Sequence, residues 1–182
     1  MTKLVLLDRD GVVNVERPHY ITDPGDVELV PGAGLAIRRL NAAGRRAVIV
    51  TNQSAVGRGL IDMVGLERIH DRLRALLAAE GAQLDGVIVC PDPPWAATVR
   101  RKPAPGMLLE AMAAHAAGPA ETAMIGDDVK DLEAACAAGC RRILVKTGKG
   151  AGFAAHGLVP TLEPVAIVDD LAAAVALLLG SR

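Results

Sequence analysis

The amino-acid sequence predicts an α/β fold with a doubly wound, mostly parallel sheet and helices on both of its faces. Three observations support this prediction. Short apolar segments alternate with longer segments of helical periodicity. Hydrophobic residues make up 51% of the chain, whereas aromatic residues contribute only 2%. The length of 182 residues suits one hydrophobic core of ordinary size, so we expect residues 1–182 to form a single domain.

Five segments are predicted to be buried strands because each is short, apolar and bounded by Gly, Asp or Pro. Their apolar residues are continuous and do not alternate with polar ones, which is typical of strands covered on both faces. The predicted strands are residues 3–7, 46–50, 87–90, 123–125 and 142–145.

Five helices are predicted around these strands. The first begins near Pro31 and ends at residue 43, because Gly44 suits the position just after a helix. Asp62 and Asp170 are expected to cap two of the others. The remaining predictions are residues 62–80, a helix that opens at residue 105, residues 128–138 and residues 170–179. Residues 151–165 contain two glycines and two prolines and are predicted to be an irregular connection.

Composition and charge exclude several classes of partner. The formal net charge is −1 and aromatic residues are scarce, so we expect no nucleic-acid partner. The apolar run at residues 171–179 is too short to span a bilayer, and no secretory signal precedes the first strand. Three cysteines form no disulfide pattern. We therefore expect a cytoplasmic monomer without a membrane contact.

Polar residues that suit phosphate chemistry follow the predicted strands. If the sheet is parallel, these residues meet at one edge, where ligands of such sheets bind. Several carboxylates in one pocket repel each other unless a cation lies between them, and oxygen ligands favour Mg²⁺. A hydroxyl and a lysine beside them suit phosphoryl transfer. The motifs are Asp8-Arg9-Asp10-Gly11, Thr51-Asn52-Gln53-Ser54, Arg101-Lys102-Pro103 and Gly126-Asp127-Asp128, with Asp131 one turn later.

These four motifs resemble, in order, those of the haloacid dehalogenase superfamily, and the resemblance covers roughly residues 3–150. The longer strings around Asp8 and Thr51 are similar to one branch of it. Members of that branch remove phosphate from heptose bisphosphates or from histidinol phosphate. The resemblance implies a Rossmann-like core and a phosphatase that forms an aspartyl phosphate. The segments after the first and third strands are too short for a cap domain.

The resemblance also implies roles for individual residues. Asp8 is expected to be the nucleophile and Asp10 the general acid and base, while Thr51 and Lys102 stabilise the transferring phosphoryl group. Mg²⁺ is expected on Asp8, Asp127 and the main-chain carbonyl of Asp10. Asp131 either orients its helix or reaches the metal through water. The expected substrate contacts are Arg9, Asn52, Gln53, Ser54, Arg101 and Asp128, with Glu16, Arg17, His19 and Tyr20 in a flap over the site.

The sequence departs from this branch in the loop after the third strand. Many members bind zinc there through Cys and His residues, but only Cys90 and Asp92 are present here, so we expect no structural zinc. Ala55 also stands where glycine is common. The expected substrate is a small phosphorylated sugar or metabolite, with a heptose bisphosphate first and histidinol phosphate second. A receiver-like signalling domain and a non-catalytic sugar-phosphate binder are the alternatives from other classes.

Three further features are interpreted as structural. His70 is expected to be exposed or partly packed on its helix, and Trp95 to cover a short loop. The stretch from Thr147 to Gly150 resembles a phosphate loop but lacks its spacing, so a simple turn is predicted.

Overall fold

A computed structural model of the protein describes residues 1–158 and 160–180. Within these residues, six parallel strands form one sheet in the order β3-β2-β1-β4-β5-β6. The helices lie on both faces, as predicted. The strands are β1 (Leu4–Leu7), β2 (Arg46–Asn52), β3 (Gly86–Cys90), β4 (Thr122–Gly126), β5 (Arg141–Val145) and β6 (Val165–Val168).

Seven helices connect and follow these strands in the described part of the chain. Asp62, Asp128 and Asp170 cap the starts of three of them, each accepting a hydrogen bond from a main-chain N–H of the first turn. The helices are α1 (Ala33–Ala42), α2 (Ser54–Gly57), α3 (Met63–Ala79), α4 (Gly106–Ala114), α5 (Val129–Ala137), α6 (Gly150–His156) and α7 (Leu171–Leu179).

Two apolar layers cover the sheet, and strand β1 contributes to both. Val5 and Leu7 pack with residues of α1, α3 and α7, whereas Leu4 and Leu6 pack with residues of α4 and α5. All four side chains are fully buried. This two-sided burial explains why β1 has no polar residue along its length.

The strand order reverses between β1 and β4, which are neighbours in the sheet although they are far apart in the chain. Connections leave these two strands toward opposite edges, so a crevice opens beyond their carboxyl ends. Ligands bind at such switch points in open α/β sheets. Asp8 directly follows β1 and Asp127 directly follows β4, which places both at this crevice.

The predicted irregular connection over residues 151–165 is wrong. Helix α6 occupies most of its first half, and the sixth strand begins at Val165. Strand β6 is an apolar run of only four residues at the sheet edge, and it is less buried than the inner strands. None of the described helices combines the length and apolarity needed to cross a membrane.

Candidate active site

Three carboxylates form the centre of the crevice. The side chains of Asp8, Asp127 and Asp131 each offer an oxygen that lies within 4.8 Å of the others. We call this set the acidic cluster. Asp127 and Asp131 are buried, and burial together with the charge of Asp8 raises the pKa of the Asp127 carboxyl to about 8. A hard divalent cation relieves this repulsion, so the cluster fits Mg²⁺.

Lys102 brings a positive charge to the acidic cluster. Its Nζ lies 3.0 Å from Asp8 Oδ1 and 2.5 Å from Asp131 Oδ1, and it donates to the main-chain oxygen of Val50 at 2.8 Å. Burial alone would lower the pKa of this ammonium, but Asp131 and Asp8 raise it above its usual value. Lys102 therefore stays protonated in the crevice.

Asp131 has two roles in the geometry of the site. Its Oδ2 accepts a hydrogen bond from the main-chain N–H of Asp128 at 3.1 Å, which completes a capping box at the start of α5. Its Oδ1 faces Lys102. The helix-orienting alternative is thus present in the structure, and the same carboxyl group belongs to the acidic cluster.

Asp10 lies in a dense set of donors. Its carboxylate accepts hydrogen bonds from Arg9, from Asn14 Nδ2 at 2.9 Å and from Gln53 Nε2 at 2.9 Å. Burial raises the pKa of Asp10, but the charge of Arg9 and these hydrogen bonds outweigh it and hold the pKa below its usual value. These donors therefore favour the ionised form of Asp10.

Arg9 was expected to contact substrate, and the structure gives its side chain a different environment. The guanidinium is 2% exposed. It donates to both carboxylate oxygens of Asp10, with Nη2 at 2.9 Å from Oδ2 and 3.0 Å from Oδ1. Most of its donors are therefore committed to Asp10 and not to the open crevice.

Residues at the carboxyl end of β2 and directly after it connect the other motifs. Gln53 Nε2 also donates to Thr51 Oγ1 at 2.9 Å, so one amide links this hydroxyl to Asp10. Asn52 pairs with the main chain of Lys102 through both of its side-chain atoms, at 2.9 and 3.1 Å. These hydrogen bonds hold the end of β2 against the segment that carries the lysine.

Ser54 and Arg101 meet at the rim of the crevice. Arg101 Nη1 donates to Ser54 Oγ at 2.9 Å and to the main-chain oxygen of Asp92 at 2.6 Å. Asp92 in turn closes its loop, because its Oδ2 accepts from the main-chain N–H of Thr98 at 2.9 Å and from its hydroxyl at 2.6 Å. Side-chain hydrogen bonds thus fix the loop in which related proteins were expected to bind zinc.

The turn from Thr147 to Gly150 contacts the acidic cluster directly, which the sequence interpretation missed. The main-chain N–H of Lys149 donates to Asp127 Oδ2 at 2.9 Å, and Thr147 Oγ1 donates to the main-chain oxygen of Gly11 at 2.5 Å. Gly148 has a φ of +56°, and a Cβ there would lie 2.1 Å from Asp127 Oδ2. The sequence signals that could have revealed this contact were Gly148 and its position shortly after β5.

The predicted flap residues 16–20 form one wall of the crevice. Glu16 pairs with the ammonium of Lys149 at 2.9 Å, and Arg17 pairs with Glu28 at 2.8 Å. His19 and Tyr20 are exposed. The guanidinium of Arg58 lies 5.6 Å from the centre of the Tyr20 ring.

Trp95 lies on its short loop and contacts the same guanidinium. The Arg58 guanidinium lies 4.6 Å from its ring centre, so this cation stands between the flap and the Trp95 loop.

Together these elements enclose a cleft of about 510 Å³. Every residue predicted for catalysis or substrate contact lines it. Asp127 lies behind the lining, between Gly11 and Gly148. Lys130 and Lys149 also line the cleft and were not predicted. The predicted lining residues are Asp8, Arg9, Asp10, Glu16, Arg17, His19, Tyr20, Thr51, Asn52, Gln53, Ser54, Arg101, Lys102, Asp128 and Asp131.

The expectation of an exposed or partly packed His70 is wrong. Its side chain is 1% exposed and lies beneath Arg9, with 3.5 Å between His70 Nε2 and Arg9 Nη1. Burial and the charge of Arg9 lower the pKa of this imidazole to about 4. The prediction failed because the apolar pattern assigned only aliphatic residues to the buried face of α3. His70, next to Ile69, lies on that face as well.

A parallel sheet in this order, with carboxylates at the switch point and a buried lysine beside them, defines the class of a phosphoryl-transfer enzyme. A family model described as HAD-hydrolase-like matches residues 99–174. Two relatives named D-glycero-beta-D-manno-heptose-1,7-bisphosphate 7-phosphatase match nearly the whole chain. The one from Bordetella bronchiseptica is 39% identical over 171 residues, which are 94% of each chain. The one from Pseudomonas putida is 42% identical over 171 residues, which are 94% of this chain and 96% of the relative.

Solved structures agree with these relatives. The D,D-heptose 1,7-bisphosphate phosphatase from B. bronchiseptica, complexed with magnesium and phosphate, superimposes with a TM-score of 0.93, covers both chains fully and is 38% identical. The chain therefore belongs to the haloacid dehalogenase-like hydrolases, in the branch of the heptose-1,7-bisphosphate 7-phosphatases. It is a phosphoric monoester hydrolase.

Proposed function

We propose that this protein removes the 7-phosphate of D-glycero-D-manno-heptose 1,7-bisphosphate with the help of Mg²⁺. The observation that carries the chemistry is the acidic cluster beside the Lys102 ammonium, at the carboxyl ends of β1 and β4. The substrate is supported by the relatives, which share their named activity and align along more than nine tenths of this chain. The cytoplasmic location and the monomeric state stay predictions.

Asp8 is the nucleophile of the first step. A carboxylate oxygen of Asp8 forms a bond to phosphorus while the bond between phosphorus and the sugar oxygen breaks. Asp10 acts in this step in its protonated form: it gives the proton to the leaving sugar oxygen and becomes a carboxylate, and the dephosphorylated sugar departs. Thr51 donates its hydroxyl, and Lys102 its ammonium, to the phosphoryl oxygens on which negative charge is concentrated.

The second step frees the nucleophile. Asp10, now a carboxylate, accepts a proton from a water molecule that attacks phosphorus. The bond between phosphorus and Asp8 breaks, and inorganic phosphate leaves. The donors around Asp10 suit the first step, because they stabilise the carboxylate that forms when its proton leaves.

The residues that would hold Mg²⁺ are Asp8, Asp127 and the main-chain carbonyl of Asp10, with Asp131 close to them. When bound, the ion neutralises charge between the carboxylates and the phosphoryl oxygens. Gly11 and Gly148 leave room for the carboxyl group of Asp127, because a side chain on either would overlap it.

The cleft suits a bisphosphate because cations line it beyond the acidic cluster. Arg17, Arg101, Lys130 and Lys149 all face it. Cations of this kind can bind a second phosphate or sugar hydroxyls beside the reacting phosphate.

Phosphate release tests this proposal. The purified protein with Mg²⁺ is given both anomers of heptose 1,7-bisphosphate, histidinol phosphate and common hexose phosphates. We expect kcat/KM to be highest for one heptose anomer, and ³¹P NMR to detect heptose 1-phosphate as the product. Equal or higher activity on histidinol phosphate would contradict the substrate.

A substitution separates chemistry from binding. Asp8→Asn removes the nucleophile and should abolish turnover while the protein still folds. Asp71→Asn, on the exposed side of α3, is the matched control and should keep wild-type activity. A receiver-like domain would instead hold a long-lived aspartyl phosphate, which acid quenching of the wild-type protein would reveal as a stoichiometric product without turnover.

A further inference from the structure

Three side chains form a line that leads from helix α3 to Asp10. Glu67 Oε2 lies 3.6 Å from His70 Nδ1, and His70 Nε2 lies 3.5 Å from Arg9 Nη1. Arg9 then donates to both oxygens of Asp10 through Nη2. Glu67 is largely exposed, whereas His70 and Arg9 are 1% and 2% exposed. The line therefore connects the protein surface to the carboxylate that handles protons in the proposed reaction.

A buried guanidinium needs acceptors for its donors, and this requirement fixes the geometry. The Nε and Nη2 atoms of Arg9 are used by Asp10, which leaves Nη1 for another acceptor. His70 Nε2 occupies that place. Contacts with His70 on one side and Asp10 on the other fix the orientation of the Arg9 guanidinium. Because the guanidinium binds both oxygens of Asp10, it also fixes the orientation of that carboxyl group.

His70 can accept from Arg9 only as a neutral imidazole with its proton on Nδ1. That proton then points toward Glu67 Oε2, whose negative charge favours this tautomer. A protonated imidazole would instead place two cations side by side. The neutral form is the one that burial also favours.

We infer that Arg9 and His70 are positioning residues for the general acid and base, with His70 acting on Asp10 through Arg9. This inference rests on the proposed function, because it assigns Asp10 the proton transfers. It replaces the expected substrate contact of Arg9 with a role behind the reacting groups. It also gives the buried histidine of α3, which touches no substrate, a function in the reaction.

Leaving-group dependence tests this role. A sugar oxygen needs a proton to depart, whereas p-nitrophenolate departs without one. The value of kcat/KM depends on the steps up to the release of the first product. A displaced Asp10 should therefore lower kcat/KM for the sugar phosphate and leave kcat/KM for p-nitrophenyl phosphate nearly unchanged. We expect Arg9→Met to lower kcat/KM about 100-fold for the heptose bisphosphate and less than about threefold for the aryl ester.

His70 is tested with two variants. His70→Leu removes the acceptor and should lower kcat/KM for the sugar phosphate about tenfold, again with little change for the aryl ester. His70→Gln offers an oxygen near the position of Nε2 and should restore most of the loss. His115→Leu and Arg46→Met are the matched controls, since both residues lie near the amino ends of the strands. Equal losses on both esters, or no rescue by glutamine, would overturn the inference.

A measurement without turnover covers the case in which the proposed function fails. Absence of phosphate release from the wild-type protein on every ester would refute the function itself. In ¹⁵N-arginine-labelled protein, we expect the Arg9 Nε–H to exchange slowly with solvent in the wild type and in His70→Gln. We expect it to exchange at least about tenfold faster in His70→Leu. An unchanged exchange rate in His70→Leu would refute the line from His70 to Asp10 whatever the substrate is.

Discussion

Lys102 shows how a single buried charge organises the site. Its ammonium contacts both Asp8 and Asp131, so it offsets part of the repulsion in the acidic cluster. Among the described residues, no side-chain cation pairs with Asp127 in this way: it accepts a main-chain hydrogen bond from Lys149 and lies beside the other carboxylates. The carboxyl group that most needs a cation is therefore the one that the fold surrounds with glycines.

Gly148 supplies the first prediction at this scale. Gly148→Ala introduces a Cβ that overlaps the Asp127 carboxyl group, at a φ of +56° that disfavours alanine. We expect the free energy of unfolding to fall by about 1–3 kcal/mol. A higher Mg²⁺ concentration should also be required for half-maximal activity.

The matched control for this change is Gly152→Ala. Gly152 lies within α6, and nothing surrounds the position of its Cβ. Alanine there should raise stability by about 0.5–1 kcal/mol and leave the magnesium dependence unchanged. If Gly148→Ala keeps the wild-type magnesium dependence, the turn does not support Asp127.

His70 leads to a prediction about pH. Its pKa is about 4 in the folded protein and about 6.5 in an unfolded chain. Between these values the unfolded chain binds a proton that the folded protein does not, so stability falls as the pH falls from about 6.5 to 4. The full difference corresponds to about 3 kcal/mol. Denaturant unfolding at several pH values should show a smaller loss in His70→Gln than in the wild type, and equal losses would contradict the assignment.

At the scale of elements, hydrogen bonds support the loop between β3 and α4, where zinc was expected to support the loop of related proteins. Asp92 closes it through Thr98, and its main-chain oxygen holds Arg101 at the rim of the cleft. Cys90 is buried at the end of β3, where burial raises the pKa of its thiol. These contacts explain how the loop keeps a defined shape with few potential metal ligands.

The absence of a structural zinc is a prediction that metal analysis can test. We expect less than stoichiometric zinc in the purified protein and no change in melting temperature with a zinc chelator. Asp92→Ala should instead lower stability by about 1 kcal/mol and raise KM, because it frees the loop that holds Arg101. Thr98→Ser keeps the hydroxyl and serves as the control. Stoichiometric zinc, or melting that depends on the chelator, would contradict the prediction.

Elements also differ in how well their sequences predict them. The inner strands were predicted within a few residues because burial on both faces leaves a continuous apolar run. Strand β6 was missed because it has only four residues and begins directly after Pro164, within a segment rich in glycine and proline. Helix α6 was missed because three glycines fall in its region, and glycine disfavours helices intrinsically.

At the scale of the whole molecule, magnesium that binds at the switch point between β1 and β4 should raise the free energy of unfolding. An ion that binds only the folded protein stabilises it by about 2.7 kcal/mol at one hundred times its Kd. Asp127→Asn should lose this response. The same variant should be at least as stable as the wild type in chelator, because it removes a buried carboxyl group whose ionisation is unfavourable beside Asp8.

Thermal unfolding with and without Mg²⁺ measures both effects. Asp71→Asn, which changes an exposed carboxylate on α3, should keep the full response to the ion. A response in Asp127→Asn as large as that of the wild type would place the metal elsewhere.

Among the described residues, the sequence by itself determined five of the six strands, five of the seven helices and the chemical groups at the strand ends, including Asp8, Lys102 and Asp127. These features follow from local patterns, since burial and capping act on residues that are near each other in the chain. Only the tertiary structure decided that Thr147 reaches Gly11 across 136 residues and that Lys149 supports Asp127. It also decided that Arg9 turns inward to His70. Such contacts depend on how distant segments pack, and no local pattern encodes them.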